Sequence, residues 1–257
     1  MVFLPDYYIP LIIATGIAAG FLNTVGGGGS LITMPMLIFF GMPSAMANGT
    51  NRVALVVQNV VAVAGFRHKG FFDLRFGLIL GIPAMVGSIV GAGFAINLSD
   101  EIFNRILAVV MLLVLYVILF EPHKKYIKYE EEMSREKKWA AGIVFFFIGI
   151  YGGFIQAGVG FIIIAALSIL TGLSLVKINS LKVFVVGLYI VTSLIVFVLS
   201  GNVDWLIGIL LAAGNAVGAW AGSIFAVKGG DKWIRWVLAA SVIAMALKLL
   251  GVFNLFT

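Results

Sequence analysis

Six stretches of this chain, residues 49–66, 75–96, 103–120, 181–199, 205–227 and 233–250, are apolar for about the length that crosses a lipid bilayer. A helix rising about 1.5 Å per residue needs about 20 such residues to cross the hydrocarbon core. Of 257 residues, 62% are hydrophobic and 11% charged, and the mean hydropathy is +1.14. Soluble domains carry about 25% charged residues. The reading is an all-α polytopic membrane protein with lipid as its solvent. The opening MVFLPDYY lacks a basic leader region, so the first apolar stretch is expected to stay in the protein. Cysteine is absent, which excludes disulfides and thiol-based metal or redox sites. The net charge of +6 is expected in cytoplasmic loops rather than against nucleic acid.

Four shorter apolar segments, 9–22, 31–40, 140–155 and 161–171, flank two glycine-rich breaks. A shift of 131 positions brings the two parts of the chain into register. Gly27 then meets Gly158, Gly29 meets Gly160, Gly41 meets Gly172 and Asn48 meets Asn179. Gly70 meets Gly201, Asp73 meets Asp204, Gly77 meets Gly208, Gly87 meets Gly218, Gly91 meets Gly222 and Phe94 meets Phe225. The asparagine and aspartate matches in one register point to duplication of a structural unit. The units are residues 1–121 and 139–257, joined by a charged loop at 122–138.

Each pair of short segments reads as a re-entrant or broken helical hairpin, and each half adds three transmembrane helices. An odd number of crossings makes the second half inverted relative to the first. The charges agree with that topology. Arg67, Lys69, Arg75, Lys124, Lys125, Lys128, Arg135, Lys137, Lys138, Lys177, Lys182, Lys228, Lys232 and Arg235 fall on one side, leaving three of the seventeen on the other. The rich side is expected to be cytoplasmic, with both termini outside.

Inverted repeats with broken helices mark secondary transporters, whose site lies near the midplane. The two apices are Asn23, Thr24, Val25, Gly26, Gly27, Gly28, Gly29 and Ser30, and Gln156, Ala157, Gly158, Val159 and Gly160. A helix beginning at each apex would point its positive dipole end at the centre, which suits an anion. The competing reading is that the glycines serve close packing. None of the eleven acidic residues falls within an apolar segment, and both histidines, His68 and His123, are expected in loops. That argues against a carboxylate cation site or an embedded proton relay. Asp73 and Asp204 read first as caps. Arg52 and Lys182 follow Asn48, Asn51 and Asn179 and are expected to guard the two mouths, by anion attraction or by interfacial snorkelling. Gln58, Asn59, Tyr189 and Asn215 stand near mid-span, to bind oxyanion oxygens or to bridge helices.

The opening GFLNTVGGGGSLITMPML with Asn48-Gly49-Thr50-Asn51, and the later GFIQAGVGFIII with Val176-Lys177-Ile178-Asn179-Ser180-Leu181-Lys182, resemble the two copies of the TauE/SafE motif. This family is also called the sulfite exporter or DUF81 family, and the resemblance covers essentially the whole chain. It implies export of small sulfur-containing anions, sulfite or organosulfonates, across a bacterial cytoplasmic membrane. The positions it implicates are the glycine apex, Asn48, Asn51, Arg52, Gln156, Asn179 and Lys182. A passive anion channel, or a transporter of another small organic anion, is the alternative. An enzyme is not expected, nor a cofactor or a metal. The expected partners are a small anion and the bilayer; homo-oligomerisation is left open.

Overall fold

A computed structural model describes residues 8–120, 135–171 and 173–228. Among these the chain is all helical: α1 (Tyr8–Val25), α2 (Ser30–Phe39), α3 (Ser44–His68), α4 (Leu74–Ile96), α5 (Asp100–Phe120), α6 (Arg135–Phe154), α7 (Val159–Thr171), α8 (Leu175–Leu199) and α9 (Trp205–Lys228). The span expected at 233–250, the loop at 122–134 and Gly172 lie outside the described residues.

The helix ends follow local chemistry. Asp73 caps α4 by accepting from the Phe76 N–H at 3.0 Å, and Asp204 caps α9 by accepting from Ile207 at 3.1 Å. α3 and α8 stop in the same way. The N–H of Phe71 reaches back to the Phe66 carbonyl and that of Asn202 to Phe197, around Gly70 and Gly201 with φ of +76° and +73°. This is the glycine-terminated end that leaves few carbonyls unpaired. His68, expected in a loop, is the last residue of α3.

The segments before the two breaks are longer than expected. α1 has 18 residues and α6 has 20, whereas α2 and α7 stay short at 10 and 13. The polar residues Asn23 and Thr24 continue α1 instead of ending it, and Thr24 turns its hydroxyl onto the Gly20 carbonyl at 2.8 Å. α6 begins inside the charged stretch, which extends it by a turn.

By length and composition α1, α4, α8 and α9 can each cross a membrane. Their outward faces are apolar: Ile82 and Phe94 on α4 are 55% and 62% exposed, and Trp220 on α9 is 62% exposed. Polar side chains turn inward, and Asn48, Asn51, Arg52 and Asn215 have no exposed surface. A surface of this kind requires lipid rather than water around it. α3 is the least apolar helix because it is the most central. Its Asn48–Arg52 segment, Gln58 and Asn59 are all buried.

Two helix pairs carry the packing. α1 runs beside α9 in the same direction, and α6 runs beside α4 likewise, while α3 and α8 fill the middle. Glycines permit the close approach. A Cβ on Gly218 of α9 would lie 2.0 Å from the Ile17 carbonyl oxygen of α1. One on Gly87 of α4 would lie 2.1 Å from the Phe146 oxygen of α6. These glycines are therefore packing residues. Ile17 and Phe146 stand 129 positions apart, whereas Gly87 and Gly218 stand 131 apart. The offset of 131 thus holds between α4 and α9, whereas between α1 and α6 it is 129.

Candidate functional site

The two breaks meet at the centre of the molecule. Gly27 has φ of +90°, and a Cβ added there would lie 2.4 Å from the Cα of Gly160. Beside this contact lies a small cavity with room for about one water molecule. Of the residues expected in the site, Asn23, Gly27, Gln58, Gln156, Gly160 and Lys182 line it. Asn59 and an apolar wall of Leu55, Val159, Val183 and Val186 complete it. Among the described residues the lining holds one ammonium, four amides and no carboxylate.

Amides latch the first break. Asn23 donates its Nδ2 to Gln58 Oε1 at 3.0 Å and accepts the Gly29 N–H at 2.7 Å. The α2 N-terminus therefore already has one of its donors satisfied from within. Gly28 accepts from the Leu31 N–H. Asn51 accepts the Thr33 hydroxyl at 2.8 Å and reaches Ser30 at 3.5 Å, fixing α2 onto α3. Asn215 of α9 donates to Gln58 at 3.4 Å.

The second break is held differently. Gln156 adopts φ of +67°, a left-handed conformation unusual for a residue with a side chain. Its Oε1 accepts the Tyr189 hydroxyl at 2.7 Å. Gly158 follows with φ of +72° and starts α7 by accepting from Phe161. Tyr189 and Asn215 thus brace residues that line the cavity and do not themselves line it.

Arg52 and Lys182 are not at the mouths. Both are buried, at 0% and 2% exposure, and both cap broken helices. Arg52 Nη2 donates to the Gly152 and Gly153 carbonyls of α6 at 3.2 and 2.6 Å, and to Asn48 Oδ1 at 3.1 Å. Its Nη1 donates to Ser193 at 2.7 Å, and its guanidinium lies 4.7 Å from the Phe197 ring centre. Asn48 adds a bond to the Phe154 carbonyl at 2.7 Å. Lys182 Nζ donates to the Asn23 and Thr24 carbonyls of α1 at 3.0 and 3.1 Å and to Asn179 Oδ1 at 2.8 Å. Gly152 and Gly153 stand 129 positions after Asn23 and Thr24, the same offset that relates α1 to α6. Arg52 thus closes the last turn of α6 and Lys182 that of α1, where carbonyls lack partners and positive charge is favoured. Sequence reading missed these carbonyls, because a backbone acceptor carries no residue signature.

A multi-pass helical membrane protein with two helix breaks meeting over a cation-bearing cavity is built as a transporter. The profile described as "Sulfite exporter TauE/SafE" matches residues 12–249, and the chain belongs to that family. A probable membrane transporter protein of Haemophilus influenzae is 28% identical over 94% of each chain. The probable membrane transporter protein YfcA of Escherichia coli K12 is 27% identical over 90% of this chain and 86% of its own. One from a Sinorhizobium species is 26% identical over 91% and 88%. No solved structure matches.

Proposed function

We propose that this protein is a secondary transporter that exports small sulfur-containing oxyanions, sulfite or an organosulfonate, across the cytoplasmic membrane. It works by alternating access between two inverted halves, residues 1–121 and 139–257, with a midplane site where their helix breaks meet. The observation that carries this reading is the chemistry of the cavity wall. A buried ammonium stands among amides with no carboxylate beside it. An ammonium kept in such a place without a counter-ion attracts a negative ligand and repels a cation. The matched packing of α1 on α9 and of α6 on α4 supports two equivalent halves, and the bias of basic residues supports a cytoplasmic loop at 122–138. A sulfonate needs more room than one water, so binding requires the two breaks to part. The candidate ligands are the groups at the breaks, with Asn48, Asn51 and Asn179 behind them.

The test is a thermal-shift titration of the purified protein in detergent with sulfite, sulfate and sulfoacetate. One of these anions should stabilise it in a concentration-dependent way, by about 2.7 kcal/mol at a hundredfold excess over Kd. Stabilisation by a cation or a neutral solute, with none by any oxyanion, refutes the reading. Counterflow in proteoliposomes separates this carrier from an anion channel, since only a carrier shows trans-acceleration.

A further inference from the structure

We propose that the two buried cations do different work: Lys182 is the ligand of the transported anion, and Arg52 is a positioning clamp that never meets it. This rests on the oxyanion reading above. The two side chains hold equivalent carbonyl pairs, so by symmetry alone they would share one role. Their surroundings differ. Arg52 belongs to α3 and is engaged by two other helices: α6 through the Gly152 and Gly153 carbonyls, and α8 through Ser193 and the Phe197 ring. It has no exposed surface and does not line the cavity. An anion would reach it only if α3, α6 and α8 came apart. A planar guanidinium whose two Nη groups are spread over four acceptors suits that fixed duty. Only its Nε is left without a partner, and it is sealed behind the same helices.

Lys182 lines the cavity. Its ammonium has three N–H donors, all given to neutral oxygens: two α1 carbonyls and Asn179 on its own helix. An anionic oxygen adds a charge–charge attraction to the ammonium that a neutral carbonyl lacks, and that attraction is strong away from water. An oxyanion entering the cavity therefore outcompetes the Asn23 and Thr24 carbonyls for this ammonium, while Asn179 keeps its bond within α8. The released carbonyls belong to the last turn of α1, immediately before Gly26–Gly29, where the backbone turns most freely. Asn23 also holds Gln58 and the Gly29 N–H through its side chain, so a move of its backbone would shift the cavity wall with it.

The experiment compares Lys182→Met and Arg52→Lys with the parent protein. Sulfite affinity is measured by titration in detergent, and KM and turnover by counterflow in proteoliposomes. Lys182→Met should weaken sulfite binding by roughly tenfold or more, and Lys182→Arg should restore most of it. Lys182→Gln is the second removal of the charge should the methionine variant not fold. Arg52→Lys should leave affinity and KM nearly unchanged and lower turnover. Parent-like binding by Lys182→Met or Lys182→Gln overturns the inference and leaves the anion transporter standing. Loss of affinity in Arg52→Lys equal to that in Lys182→Met overturns the division of work. A parent protein that binds no oxyanion overturns the anion reading, and this inference with it.

Discussion

Replacing Gly27 by alanine should strike the contact on which the site is built. Two costs add. The backbone sits at φ +90°, in the region that an L side chain enters at a cost of about 1–2 kcal/mol. The new methyl would then lie 2.4 Å from the Gly160 Cα and 2.7 Å from its carbonyl carbon, so two backbones must separate. Forced overpacking of this kind costs about 1–3 kcal/mol. Gly27→Ala should thus lose about 2–5 kcal/mol of stability. Gly201 provides the control. Its φ is +73°, but nothing lies within 4 Å of an added Cβ, so Gly201→Ala bears the backbone cost alone. The assay is thermal unfolding of both variants in the same detergent, where each kcal/mol moves the Tm of a chain this size by about 2–4 °C. Gly201→Ala should lower Tm by about 2–8 °C, and Gly27→Ala by several degrees more. Equal losses would show that the two breaks do not touch, and the central site would lose its basis.

Asp204→Ala and Asp73→Ala should each cost about 0.5–2 kcal/mol, because each removes the cap of a long helix; thermal unfolding checks both, and a change below that range means the caps are not used. Tyr189→Phe strips Gln156 Oε1 of its buried hydroxyl donor, and should cost about 0.5–1.5 kcal/mol with the fold intact. An unchanged Tm there would mean that another group satisfies the amide.

What the sequence determined on its own was whatever local chemistry dictates. Apolar runs of spanning length require lipid, and glycine runs cannot continue a helix, so the membrane class and the sites of the breaks were legible. Asp73 and Asp204 were legible as caps, because a cap acts on amides three residues away. Seven of the residues read from the family motif and from mid-span polarity line one cavity. The length of α1 was not legible, because Asn23 looks like a helix breaker until Gln58 holds its side chain, and Lys182 holds the Asn23 and Thr24 carbonyls. Nor was the duty of Arg52 and Lys182. Their backbone acceptors are carbonyls a hundred or more residues away, and a carbonyl is the same in every residue. Only the packing of α3 and α8 between the two broken helices brings those carbonyls within reach. That same packing decides which cation faces the cavity and which is sealed behind it.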